Sequence, residues 1–115
     1  MKAIHAYVRR SLVGRVIEQL LDHGCTTFSV FDVHRVTPGL RREEYSYSLE
    51  LSQAYEDMAK LEIVGSDLDI AQWTDVVADA ASTGQSGDGM VFVLPVDEAI
   101  RISTKQRGET ALGRN

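Results

Sequence analysis

The chain has 115 residues, of which 43% are hydrophobic and 25% are charged, so an intrinsically disordered protein is excluded and one domain with one core is expected. Twelve Lys and Arg against seventeen Asp and Glu give a formal net charge of −5. This acidic balance argues against a nucleic acid as the main partner, because phosphate backbones are bound by basic surfaces. It leaves room for a small anion in a local pocket.

The cysteine content and the first residues indicate the compartment. The single cysteine, Cys25, cannot form an internal disulfide, and residues 1–10 lack the basic-then-apolar pattern of a secretory leader. No apolar run approaches the roughly 18 residues of a membrane-spanning helix. These features predict a cytoplasmic protein.

The first third of the chain predicts a strand, a helix and a second strand. Residues 2–9 alternate between apolar and polar side chains, which is the period of a strand with one buried face. Apolar residues then recur at helical spacing from Leu12 to Leu21, with Ser11 as a candidate N-cap and Gly24 at the end. Residues 27–36 are rich in Phe, Val, Ser and Thr, which favours a strand.

The second half repeats this order. Residues 60–65 predict a short third strand, and Ser66 or Asp67 can cap a second amphipathic helix that places Trp73 in the core. After a glycine-rich stretch, residues 90–94 form a continuous apolar run typical of a central strand. Residues 99–103 suggest a last short strand.

The element order β-α-β-β-α-β predicts an α+β ferredoxin-like sandwich, in which two helices cover one face of an antiparallel sheet. No further helix is available for the other face. A chain this short therefore covers that face by forming an oligomer, or leaves it exposed as a binding platform.

The connection over residues 37–57 is unusual, because about twenty residues lie where loops of about 4–6 are common. Loops of this length are functional or disordered. Residues 44–52 alternate polar and apolar side chains, which favours an extended ribbon. A helix is the alternative, since it would be tolerated by Glu50, Gln53, Ala54 and Glu56. In the ribbon, one face carries Tyr45, Tyr47, Leu49 and Leu51.

The glycine-rich segment 83–93 reads Thr-Gly-Gln-Ser-Gly-Asp-Gly-Met-Val-Phe-Val. It resembles the signature of the PII signal-transduction family, the nitrogen regulatory proteins P-II, whose form is Thr-Gly-x-x-Gly-Asp-Gly-Lys followed by aliphatic and aromatic residues. Segments 1–6, 60–64 and 101–104 match the same family at consistent spacing. The whole chain therefore resembles an atypical, PII-like member.

The resemblance implies a homotrimer of ferredoxin-like subunits whose sheets face one another around the axis. It also implies a regulator rather than an enzyme, with an adenine nucleotide in clefts between subunits. The domain would span residues 1–112, followed by a mobile tail at 113–115. The 37–57 connection would be the effector loop (T-loop) that docks onto a membrane transporter or a metabolic enzyme, with bicarbonate or another small metabolite as a further effector. The expected contact residues in it are Arg41, Arg42, Tyr45, Tyr47, Leu49 and Leu51.

The nucleotide site is expected at the glycine-rich segment, since glycines allow the backbone to approach a phosphate and to present its N–H groups. A plain helix-to-strand turn is the alternative and would explain one or two of the glycines. Arg101 matches a phosphate-binding arginine of the family; without the resemblance, such an arginine would be solvated or paired. The implied nucleotide-binding residues are Ser29, Val64, Thr83, Gly84, Gly87, Asp88, Gly89 and Arg101.

Departures from the family pattern predict an altered ligand. Met90, Gln85 and Ser103 replace three cationic side chains, and each charge-assisted hydrogen bond is worth about 1.5–3 kcal/mol. We therefore expect ADP, AMP or weakly bound ATP. Gly39 and Met58 replace the residues that hold magnesium and 2-oxoglutarate, so no metal and no sensing of that acid by the usual route are expected.

No enzymatic site is predicted. The three histidines, His5, His23 and His34, lack metal-ligand spacing, and the order of residues suggests no nucleophile–base pair. The sequence thus predicts a PII-like regulator that binds an adenine nucleotide and controls a partner. The alternative is a ligand-free protein–protein adaptor with a degenerate pocket.

Overall fold

The computed structural model describes residues 1–36 and 55–113. Its sheet has four strands in the order β2-β3-β1-β4, and each neighbouring pair is antiparallel. This order, with two helices between the strands, confirms the predicted α+β ferredoxin-like fold. In chain order the elements are β1 (Lys2–Arg9), a 3-10 turn (Arg10–Leu12), α1 (Val13–Asp22), β2 (Ser29–Val36), β3 (Tyr55–Gly65), α2 (Asp67–Ala80), β4 (Gly89–Pro95) and a second 3-10 turn (Gly108–Leu112).

The core lies between one face of the sheet and the two helices. The alternation of β1 turns Ile4, Ala6 and Val8 inward, and these residues pair with Ile63, Leu61 and Ala59 of β3. Burying a side chain such as Ile or Leu contributes about 1.5–3 kcal/mol. The helices complete the same cluster with Val16, Leu20, Ile70 and Val77.

The two helices begin differently. Ser66 caps α2, because its Oγ accepts a hydrogen bond from the Asp69 N–H at 3.1 Å. The expectation that Ser11 caps α1 is wrong: the 3-10 turn contains Ser11, and Leu12 is the N-cap residue without a side-chain hydrogen bond. Gly24 follows the end of α1 as predicted, with φ at +84° and its N–H donated to Leu21 O.

Three strand predictions need correction. β3 begins at Tyr55 rather than at residue 60, so residues 55–57, which the sequence analysis assigns to the connection, belong to this strand. Residues 99–103 form no strand; a single bridge joins Ile100 to Arg107, and Lys105 turns the chain between them with φ at +65°. β4 is an edge strand of the single chain rather than a central one. Its apolar run is continuous because Val91 packs towards the helices, whereas Phe92 on the opposite side is 49% exposed.

The face of the sheet opposite the helices, called here the outer face, is apolar over much of its area. On it the Tyr7 and Phe92 rings meet edge to face with centroids 6.2 Å apart, and the Lys60 ammonium lies over the Tyr7 ring. In the described ranges no helix packs on this face, as predicted. Its exposed large apolar residues are Phe31, Val64, Met90, Phe92 and Leu94.

The predicted ribbon over 44–52, its helical alternative and Gly39 lie outside the described residues. So do the effector-loop residues Arg41, Arg42, Tyr45, Tyr47, Leu49 and Leu51. β2 and β3 are the two strands that lead into and out of this connection. None of the helices in the described ranges is long and apolar enough to cross a membrane.

Candidate functional site

The glycine loop, defined here as residues 83–89, is closed by the carboxylate of Asp88. This carboxylate accepts hydrogen bonds from the Thr83 N–H at 2.6 Å, from the Thr83 hydroxyl and from the Gly84 N–H at 3.1 Å. Arg9 Nε also donates to it, at 3.2 Å. The Thr83 hydroxyl, the Thr83 N–H and the other donors lower the pKa of Asp88 to about 2. Asp88 therefore holds the loop together from within.

The three glycines of the loop serve different purposes. Gly84 has φ at +83° in open space, and Gly89 has φ at +124°. A Cβ at Gly89 would lie 1.8 Å from Tyr7 O, so the pairing of β4 with β1 requires glycine there. Backbone conformation thus accounts for Gly84 and Gly89. Gly87 instead faces two arginine side chains, Arg9 and Arg35.

An open cleft of about 840 Å³ lies at the other end of the sheet. Its volume falls within the range of small-molecule sites, which is about 300–1,000 Å³. Ser29 at the start of β2 and Val64 near the end of β3 line it, together with Arg101. Trp73 from α2 and Leu112 from the second 3-10 turn form part of its wall.

Trp73 is held at the edge of the cleft by contacts at both sides of its ring system. Its Nε1 donates a hydrogen bond to His23 O at 3.0 Å. A Cβ added at Gly65 would lie 2.9 Å from the ring, so glycine at this position allows the indole to pack against β3. Trp73 also packs against the core as predicted, but sequence reasoning missed that it borders a cleft.

Arg101 is bound to the C-terminal segment. Its Nε donates to Ala111 O at 3.0 Å and its Nη2 donates to Gly113 O at 2.7 Å. Ala111 is buried, so the turn that carries these carbonyls is packed against the domain. The sequence contained no clear signal for this arrangement, because the segment has few apolar residues.

The eight predicted nucleotide-binding residues fall into two groups in the chain. Val64 pairs with Ala3, whereas Gly89 pairs with Val8, and five residues along β1 correspond to about 16 Å. Within one chain the two groups therefore form no single site. Ser29, Val64 and Arg101 lie at the cleft, and Thr83, Gly84, Gly87, Asp88 and Gly89 lie at the opposite end of the sheet.

The structure also shows whether the positions that depart from the family pattern are buried or exposed. Met58 is buried, whereas Met90, Gln85 and Ser103 are exposed. Cys25 is a buried free thiol, and burial raises its pKa to about 11, which disfavours the reactive thiolate. In the described ranges no group of three or more His, Cys, Asp and Glu side chains is arranged to hold a metal ion.

These features define a ferredoxin-like domain with a braced glycine loop and an open cleft at opposite ends of its sheet. The family model of the nitrogen regulatory protein P-II matches residues 1–106, and the chain belongs to this family. It is thus a nitrogen regulatory signal-transduction protein of the P-II family. Proteins of this family are regulators that interact with partner proteins and small-molecule effectors, rather than enzymes.

Individual relatives agree with this assignment. The chain is 30% identical to the nitrogen regulatory protein GlnK2 of Haloferax mediterranei, with 97% of this chain and 91% of that protein covered. It is 31% identical to the nitrogen regulatory protein P-II of Pasteurella multocida, covering 97% and 100%. A P-II homolog of Oryza sativa is 34% identical, covering 94% of this chain and 51% of that protein.

A solved structure supports the fold. The crystal structure of Arabidopsis thaliana PII bound to citrate matches with a TM-score of 0.76 and 29% sequence identity. The match covers 96% of this chain and 90% of the other. The ferredoxin-like arrangement derived above is thus the fold of a known P-II protein.

Proposed function

We propose that this protein binds an adenine nucleotide in the clefts between the subunits of a homotrimer and thereby controls a partner protein through the effector loop that connects β2 and β3. The separation of the two predicted groups carries the proposal. Gly89 of the glycine loop and Val64 of the cleft lie about 16 Å apart along the sheet. They can act on one ligand only if the glycine loop of one subunit meets the cleft of its neighbour.

The chemistry of the two groups is complementary. The cleft offers the apolar side chain of Val64 and the hydroxyl of Ser29, which suit an adenine base and a ribose. The glycine loop offers backbone N–H groups and, beside Gly87, the side chains of Arg9 and Arg35, which suit phosphate oxygens. A nucleotide has both kinds of surface, so it would bridge the two subunits.

The outer face supports the assembly. Phe31, Val64, Met90, Phe92 and Leu94 expose apolar surface on one side of the sheet. An apolar sheet face left uncovered is unfavourable in water, because burial of apolar area is worth about 25 cal/mol per Å². Three sheets facing one another around an axis would cover these residues.

Ligand control of the loop follows from its attachment. Arg35 precedes Val36, the last residue of β2. Its Nη2 donates a hydrogen bond to Gly87 O at 3.1 Å. The connection from β2 to β3 begins two residues later. A phosphate at the glycine loop would change the partners of Arg35, and so would favour one state of the effector loop over another. The regulated target would be a membrane transporter or a metabolic enzyme.

A related structure indicates which small anions to include as candidate effectors. The Arabidopsis PII structure holds citrate, which shows that a related protein binds a small anion. Bicarbonate and citrate therefore belong beside the nucleotides as candidate effectors.

Isothermal titration calorimetry with ATP, ADP and AMP, each with and without bicarbonate, citrate or 2-oxoglutarate, tests the binding. We expect saturable binding of at least one nucleotide, at one site per subunit. Light scattering coupled to size-exclusion chromatography should give three chains per particle. No saturable binding at millimolar nucleotide would contradict the proposal.

A ligand-free adaptor is the second candidate, favoured by the absence of cations at Met90, Gln85 and Ser103. It predicts a trimer that binds its target equally well with and without nucleotide. A nucleotide-dependent change in target affinity excludes it.

A further inference from the structure

Two arginines that the family signature does not include converge on the glycine loop. Arg9 is the last residue of β1, and Arg35 lies near the end of β2. A Cβ at Gly87 would lie 2.6 Å from Nη2 of Arg9 and 3.3 Å from Nη2 of Arg35. Both guanidinium groups therefore lie against the same glycine, the one nearest the middle of the loop.

The guanidinium groups of Arg9 and Arg35 carry like charges at close range. Because both nitrogens lie so near one point, they are within about 6 Å of each other, a distance at which like charges repel. Asp88 offsets part of this charge through its contact with Arg9 Nε. An anion that contacts both guanidinium groups would be attracted by both charges at once.

The described hydrogen bonds orient the two groups for such a ligand. Arg9 uses Nε on Asp88, and Arg35 uses Nη2 on Gly87 O at 3.1 Å. A guanidinium has five N–H donors in a planar fork that suits phosphate oxygens. Each arginine thus donates a hydrogen bond to the glycine loop.

We propose that Arg9 and Arg35 bind the phosphates beyond the first of the bound nucleotide, in place of the cations lost at Met90, Gln85 and Ser103. This inference rests on the proposed function and deepens it. The site then selects a nucleoside di- or triphosphate over a monophosphate. The expectation of weak ATP binding, drawn from the missing cations alone, is thereby replaced.

The test compares AMP, ADP and ATP binding to the wild-type protein and to Arg35→Gln, by calorimetry at fixed ionic strength. We expect Arg35→Gln to weaken ATP and ADP binding at least about 10-fold, because one charge-assisted hydrogen bond is lost. AMP binding should change less than about 2-fold, because the glycine loop still presents its N–H groups. Arg9→Gln should behave alike. Arg9→Gln removes a contact to Asp88 and Arg35→Gln removes one to Gly87 O, so AMP binding serves in both variants as the measure of an intact loop.

Arg15→Gln is the matched control, since it removes the same charge from the exposed surface of α1. It should leave all three affinities unchanged. Circular dichroism and the particle mass establish that each variant folds and assembles. Arg35→Lys should restore part of the preference for ATP, because it returns the charge without the fork.

Three results would overturn the inference. Equal weakening of AMP, ADP and ATP by Arg35→Gln would mean that the arginine only braces the loop. Unchanged ATP affinity in Arg35→Gln would place the phosphates elsewhere, while the proposed function would stand. If no nucleotide binds the wild-type protein, inorganic tripolyphosphate separates the two proposals: Arg35-dependent binding supports the arginine pair alone, and no binding contradicts both.

Discussion

Asp88 accepts a hydrogen bond from the backbone N–H of Thr83 at 2.6 Å and so joins the two ends of the glycine loop. The same carboxylate receives the Gly84 N–H and Arg9 Nε. One ionised side chain therefore determines the loop conformation and fixes Arg9 beside Gly87. Loss of its charge would affect the loop and the proposed phosphate contacts together.

The glycine loop should open in acid at an unusually low pH. The pKa of Asp88 is lowered from 3.8 to about 2, so its contribution to stability is present above 3.8 and is lost as the pH falls through about 2. We expect the NMR amide shift of Thr83 to titrate with a midpoint near 2. In Asp88→Asn this titration should be absent. A midpoint at or above 3.8 would contradict the hydrogen-bond network described here.

Two glycines of the same loop should respond differently to alanine. At Gly89 a Cβ would lie 1.8 Å from a backbone oxygen of β1, whereas at Gly84 nothing lies within 4 Å. Gly84→Ala should lower the free energy of unfolding by about 1–2 kcal/mol, the cost of a left-handed residue. Gly89→Ala should cost more than about 3 kcal/mol, because β4 must move away from β1. Urea unfolding curves measure both, and equal losses would contradict the assigned register.

The main elements could be predicted because their patterns are local. The alternation in β1 and the helical spacing from Leu12 to Leu21 each require one buried face, and the structure provides it. Where a strand was expected at 99–103, the chain instead turns back at Lys105, whose φ is +65°, and Ile100 forms an isolated bridge with Arg107. The edge position of β4 also depends on pairing between distant segments, which composition does not reveal.

The candidate site was harder to predict than the fold. The glycine pattern identified the loop, but the contacts of Arg9 and Arg35 with it depend on strand order. The carbonyl contacts of Arg101 depend on how residues 108–113 fold back. Such long-range contacts are set by packing, so a single sequence does not specify them.

The outer face should mediate assembly. Phe92 lies on this face, 49% exposed, whereas Leu68 on α2 is 82% exposed. Phe92→Glu would place a charge between the sheets of the proposed trimer, where desolvation is costly. We expect this variant to shift the particle towards a single chain at micromolar concentration, measured by light scattering. Leu68→Glu is the control and should keep three chains. A trimer that tolerates Phe92→Glu would show that this face is not buried in the assembly.

Trp73 should report on ligand binding in the cleft. It is the only tryptophan of the chain, and it lines the cleft with its Nε1 bonded to His23 O. A nucleotide placed there would change the polarity around the indole, so its fluorescence should change with the same dissociation constant as calorimetry gives.

Trp73→Phe provides the control, because it should abolish the fluorescence change. It should alter the nucleotide affinity by less than about 10-fold, since it removes at most one neutral hydrogen bond. Unchanged fluorescence in the wild-type protein, at concentrations where calorimetry shows saturation, would place the nucleotide outside this cleft. The glycine loop would then bind its anion without the neighbouring subunit's Ser29 and Val64, and the need for a trimer in the proposed mechanism would disappear.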